Sequence, residues 1–176
     1  MNNKAKITII ILLIMIITVG IFGCSINTTE TETEPTKNYV VEKYDSEITI
    51  RTSEVEMIAK TVYGEARGCS KLHQSAVIWC ILNRVDAGYG SISDVILAPN
   101  QFMGYDVDHP VTDEIRTLTE DVLLRWSIEK QCCGDIGRTL PSEYRWFYGD
   151  GMVNHFRNAY KGDYNTWDWS LENPYD

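Results

Sequence analysis

Residues 70–85, SKLHQSAVIWCILNRV, constrain the fold more than any other stretch of this chain. Leu72, Ala76, Val77, Ile78, Trp79, Cys80, Ile81 and Leu82 put apolar side chains on nearly every side of a helix. A surface helix carries one apolar stripe, whereas a helix apolar all round has to be enclosed by other elements. Ser70 is placed to cap its start, and the glycines of DAGYGS end it.

The neighbouring segments supply the enclosure. SEVEMIAKTVYGEARG, residues 53–68, predicts an amphipathic helix, because Val55, Ile58, Ala59, Val62 and Ala66 recur at helical spacing. Ser53 and Glu56 have capping-box spacing, and Gly68 suits a left-handed stop. ISDVILAPNQF predicts one short helical turn halted before Pro99. A further helix opens at Thr112, Asp113 and Glu114 and runs to Lys130, with Ile115, Leu118, Val122 and Trp126 inward. EYRWFYGDG and NHFRNAY predict short strands joined by a Gly-Asp-Gly turn. The sum is an α+β domain, with helices around a buried central helix and a small antiparallel sheet near the C-terminus.

The first third of the 176-residue chain reads differently. Lys4 and Lys6 precede a charge-free run, Ile7 to Phe22, and the next charge is Glu30. That is the pattern of an export signal. IFGC resembles the cleavage box of a bacterial lipoprotein signal, with Cys24 as the lipid-bearing residue. An uncleaved anchor is a second reading, since about 20 apolar residues span a bilayer, and plain secretion is a third. All three place the rest of the chain outside the cytoplasm, and the first two tether it to the membrane. Residues 25–52 are rich in Thr and Glu and read as a solvated linker, although YVVEKY and EITI alternate as strands do. The expected division is 1–24 signal or anchor, 25–52 linker and 53–176 catalytic domain.

From Ser53 onward, 19 acidic residues face 11 basic ones. That balance disfavours a nucleic-acid partner or adhesion to anionic lipid, and leaves a sugar polymer open. Besides Cys24 the cysteines are Cys69, Cys80, Cys132 and Cys133. Cys80 falls in the apolar helix and reads as a buried thiol; adjacent Cys132 and Cys133 join only through a strained ring. There is no CxxC pair to suggest structural zinc.

Glu65 is the chemically interesting carboxylate. Helical geometry puts it on the shoulder of the buried stripe, near the negative end of its own helix. Burial and negative potential both raise a carboxyl pKa, as a general acid requires. The competing structural reading is a surface glutamate paired with Lys60 or Arg67.

The order of motifs resembles a known family, the bacterial cell wall hydrolases of the spore cortex-lytic enzyme type. MIAKTVYGEARG, then Gln74 and AVIWCILNRV, then SISDVILAPNQF carry the resemblance over residues 55–102. It implies a lysozyme-like fold of the broad type, with Glu65 as catalytic acid. It also implies cleavage of the β-1,4 bond between N-acetylmuramic acid and N-acetylglucosamine in peptidoglycan glycan strands. A lytic transglycosylase route needs one carboxylate, whereas hydrolysis usually needs a second; Asp94, Asp106 and Asp108 are the candidates. Gln101, Phe102, Tyr105, Trp146 and Tyr148 are candidates to line the sugar groove. Trp146, Phe147 and Tyr148 lie on one strand, whose two faces cannot both serve. Tyr63, Arg67 and Asn83 read as structural. No cofactor or metal is expected. The alternatives are a non-catalytic, membrane-tethered peptidoglycan-binding domain and a cell wall amidase. The amidase would use Cys69 with His73, or zinc on His73, His109 and His155.

Overall fold

Residues 75–84 are buried without a break in the computed structural model, which describes residues 39–41, 48–131, 136–150 and 152–176. They belong to the second of four helices among the described residues. These are α1 (Thr52–Ala66), α2 (Lys71–Asp86), α3 (Ile92–Leu97) and α4 (Asp113–Gln131). Helices α1, α3 and α4 all pack on α2, as its all-round apolarity demands. Val77, Ile78, Trp79, Cys80, Ile81 and Leu82 are fully enclosed, together with Val55, Ile58 and Val62 of α1 and Val122 of α4. Full burial pushes the Cys80 thiol up to about 12.

Among the described residues, four short strands complete an α+β architecture. β1 (Tyr39–Val41) pairs antiparallel with β2 (Ile48–Ile50), and β3 (Trp146–Gly149) with β4 (Asn154–Arg157). The second hairpin sets Trp146 opposite Arg157, Phe147 opposite Phe156, Tyr148 opposite His155 and Gly149 opposite Asn154. Strand alternation then divides the aromatic residues. Phe147 and Phe156 meet inside, with ring centroids 5.4 Å apart, while Tyr148 stacks on His155 at 5.0 Å on the other face.

Several sequence expectations change in detail. Strands β1 and β2 lie within the stretch read as linker, and Ile50 joins the core. The folded part therefore starts ahead of Ser53. Ser53 does not cap α1; Arg51 holds that position without a side-chain cap bond and pairs with Glu54 at 3.6 Å. Gly68 is not left-handed, since its φ is not positive. The end of α1 is held by a side chain instead. Gln74 Nε2 donates to the carbonyls of Ala66 and Cys69, both at 3.2 Å. The Ala66 carbonyl, in the last turn of α1, also accepts from the Cys69 N–H at 2.9 Å. Ser70 does cap α2, accepting from the His73 N–H. Ser91 and Asp94 form a reciprocal capping box at the start of α3. Cys24, the signal and residues 25–38 of the linker lie outside the described residues, as do Cys132 and Cys133.

Asn83 is the polar exception in α2, 1% exposed. Its Nδ2 donates to the carbonyls of Pro141 and Tyr144, both at 2.9 Å, and its Oδ1 accepts from Arg138 Nη1 at 2.9 Å. The central helix is thereby tied to the loop entering β3. Asn83→Ala strands buried partners, so a loss of about 2–3 kcal/mol is expected in urea unfolding. A change under about 0.5 kcal/mol, the usual range for an inconsequential surface site, counts against the tie.

Candidate active site

Glu65 sits in the last turn of α1, half-buried, and among the described residues its carboxyl forms no ion pair. Its Oε1 accepts a hydrogen bond from the Gly104 N–H at 2.6 Å. The contact depends on two glycines. A Cβ on Gly64 would stand 1.6 Å from the Gly104 carbonyl oxygen, and one on Gly104 would stand 2.7 Å from the Gly64 carbonyl carbon. Gly64 thus admits another backbone, the loop after α3, and that loop delivers its N–H to the acid.

Burial raises the Glu65 carboxyl above its ordinary 4.5, and the Gly104 N–H opposes this by favouring the charged form. Desolvation is the larger effect. The result is an acid inclined to hold its proton, with one oxygen engaged by a donor.

The carboxyl opens on a cleft of about 480 Å³ between the end of α1 and the β3–β4 turn. Arg67, Gly68 and Cys69 form one side; Gly149, Met152, Val153 and Asn154 form the other. Asn154 is buried and donates from Nδ2 to the Glu65 carbonyl at 3.2 Å, joining the turn to the helix end. Asp150 shapes the turn. Its Oδ1 accepts from the Met152 and Val153 N–H groups at 2.8 and 2.9 Å, and its Oδ2 contacts His155 Nε2 at 2.7 Å. The His155 bond, with those backbone donors, holds the Asp150 carboxyl well below the usual range.

Glu65 is the one carboxylate among the described residues lining this cleft. Asp94 is engaged in its capping box, and the Ser91 bonds keep its pKa low. Asp106 Oδ1 accepts from the Asp108 N–H at 2.9 Å.

The five expected groove residues do not gather around Glu65. Phe102 is only 4% exposed, held between Phe147 at 5.8 Å and the Arg84 guanidinium at 4.8 Å. It is a core residue, which corrects its reading as a groove wall. Tyr105 is half-buried against the core. Tyr148 is 44% exposed on the outer face of the hairpin. Gln101 accepts from Arg84 Nη1 at 2.6 Å and shares a second cleft with Trp146. The Glu65 cleft itself uses residues that the sequence reading missed. Asn154 had a signal, since it alternates with Phe156 onto the inward face; Gly104 had none.

Other candidate chemistries find less support. The Cys69 thiol is raised by burial, opposite to an activated thiolate. It faces the Met152 carbonyl at 3.8 Å, while the His73 ring contacts Ser70 and packs 4.2 Å from Trp169. Among the described residues no group of three His, Cys, Asp or Glu side chains is placed to hold a metal. Tyr63 packs 5.2 Å from His109, and Arg67 lies over its ring at 5.5 Å. No family model, characterised protein or solved structure matches the chain.

Gly-to-Ala inside a helix ordinarily stabilises by about 1 kcal/mol. At Gly64 the sign is expected to reverse, because the Gly104 backbone must move. Loss of the Gly104 N–H should also raise the Glu65 pKa further, measured by carboxyl NMR titration. Unchanged stability and titration in Gly64→Ala would mean that the loop is not seated through this contact.

The raised pKa also fixes the sign of a pH effect. Between the unfolded and folded values the native state binds more protons, so stability falls as pH rises through that window. Glu65→Gln is expected to flatten this component. Urea unfolding from pH 4 upward checks it, and a wild-type-minus-Gln difference that stays constant with pH contradicts it.

Proposed function

We propose that the chain is an exported enzyme of the spore cortex-lytic type of cell wall hydrolase, with a lysozyme-like catalytic domain tethered to the membrane through its N-terminus. It cuts the bond between N-acetylmuramic acid and N-acetylglucosamine. The observation that carries the reading is Glu65: a half-buried acid, bonded at one oxygen by a backbone N–H, opening on a cleft that holds no second carboxylate among its described residues.

That geometry supports the following chemistry. Oε1 receives the Gly104 N–H, so the proton belongs on Oε2. Oε2 gives it to the glycosidic oxygen as the bond from the muramic anomeric carbon breaks. The resulting carboxylate, now favoured by the Gly104 N–H, takes the proton of the muramic 6-hydroxyl. The 6-oxygen bonds to the anomeric carbon and closes a 1,6-anhydro ring. One carboxylate performs both transfers, and no water is consumed. Retaining or inverting hydrolysis would usually call on a second carboxylate about 5–9.5 Å from the first.

Digestion of purified peptidoglycan, with products weighed by mass spectrometry, tests both parts. Anhydro-muropeptides are expected from the wild type, with a loss of about 10²–10⁴ in rate for Glu65→Gln, the usual worth of acid–base catalysis. Reducing ends would assign a hydrolase instead. Cleavage by Glu65→Gln at the wild-type rate would remove Glu65 from the mechanism. Polymer binding without products would favour a binding domain.

A further inference from the structure

A second cleft, of about 340 Å³, lies between the turn after α2, helix α3 and the start of β3. Arg84, Tyr89, Asp94, Gln101, Trp146 and Tyr160 line it, and none of them borders the Glu65 cleft.

Its walls are aromatic. Tyr89 is 52% exposed and Tyr160 54%, so two large rings stay at the surface rather than joining the core. Tyr89 stands between Gly88 and Gly90, both at positive φ, in the turn that ends α2. It meets the Trp146 ring edge-on, with centroids 6.4 Å apart and planes at 80°. The two rings make a corner that can receive the flat apolar face of a ligand. A Cβ on Gly90 would stand 2.7 Å from the Asp94 Cβ, so the same turn gives α3 room to bring Asp94 to the cleft.

Its polar groups are few and fixed. Arg84 is buried; its Nε donates to the Arg145 carbonyl at 2.5 Å and its Nη1 to Gln101 Oε1 at 2.6 Å. A guanidinium has only donors, so it meets the oxygen of the Gln101 amide and not the nitrogen. The Gln101 Nε2 donors lie on the other branch of that amide, and among the described residues no acceptor takes them. Asp94 Oδ2 accepts from the Ser91 N–H at 2.9 Å and the Ser91 hydroxyl at 2.6 Å, which leaves Oδ1 as an acceptor.

The cleft therefore offers ring faces, an oriented amide donor and a carboxylate acceptor, while its one arginine is committed to protein oxygens. An anionic ligand would meet the Asp94 carboxylate on a chain of formal net charge −9. A neutral ligand with a flat C–H face, an amide carbonyl and hydroxyl donors matches every group. An N-acetylated hexosamine has all three. Its C–H face packs on the rings, its acetamido carbonyl accepts from Gln101 Nε2, and its hydroxyls donate to Asp94.

We infer that this second cleft is a non-catalytic binding site for a neutral N-acetylated hexosamine unit, with Gln101 reading the acetamido group. The site goes beyond the proposed cleavage and does not depend on it, since a domain that held glycan without cutting it would use the same groups.

The test is calorimetry on the full chain carrying Glu65→Gln, so that nothing is cut. The probes are fully N-acetylated chitotriose, cellotriose, which has the same linkage without acetamido groups, and de-N-acetylated chitotriose, which is cationic. The acetylated trimer is expected to bind about tenfold more tightly than cellotriose. Gln101→Glu keeps an oxygen for Arg84 and removes the amide donors, so it is expected to erase that preference. Tyr89→Ala, at an exposed position, is expected to weaken both neutral trimers. Equal affinity for the acetylated trimer and cellotriose overturns the inference. So does a preference that survives Gln101→Glu, which would place the sugar elsewhere. Tighter binding of the cationic trimer also overturns it, by making the cleft an amine site of Asp94. If Gln101→Glu fails to fold, the comparison of probes in the parent chain and in Tyr89→Ala decides. Failure of the cleavage reading looks different: the wild type then yields no products from peptidoglycan, whatever calorimetry gives.

Discussion

The closest approach in the site is between two main chains, at Gly64 in α1 and Gly104 in the loop after α3. Neither position has room for a Cβ, so a helix-weakening residue is retained in the middle of the last turn of α1. The helix propensity sacrificed there is about 1 kcal/mol. In return the loop lies flat against the helix and presents an N–H to Glu65. Asn154 secures the same turn from the other side through the Glu65 carbonyl. The acid is fixed by a backbone N–H on its carboxyl and by the Asn154 side chain on its own carbonyl.

That arrangement sets two opposed effects on one carboxyl. Burial favours the neutral form, and the Gly104 N–H favours the anion. Burial is the larger effect, so the pKa lies above the ordinary value, while the N–H stabilises the anion that remains once a proton has left. A carboxyl that must both give and take a proton is better served by this opposition than by burial alone, which would make the anion too costly.

Helices were legible because their signals are local and periodic. The all-round apolarity of residues 70–85 identified the buried centre, and Ser70 its cap. The extent of α1 was read to within two residues, but its caps were misread, because Ser53 and Gly68 offered standard capping residues that the fold does not use. Gln74, eight residues beyond Ala66, does the capping, and nothing in a local pattern announces a bond across the turn. Glu65 stood out through its position on the helix shoulder. Its partner Gly104 is 39 residues away, and a glycine carries no pattern of its own. Phe102 was misassigned because an aromatic after a helix reads equally as groove or core; the Arg84 and Phe147 contacts decide for core.

The hairpin shows why strand alternation matters more here than composition. Shifting its register by one residue would send Phe147 and Phe156 to solvent and bring Tyr148 and His155 inward. The observed register buries the two phenylalanines and leaves Trp146 opposite Arg157 at one end and Gly149 opposite Asn154 at the other. Each end then contributes to a different cleft, one bordered by arginine and aromatic rings, the other by a single carboxyl.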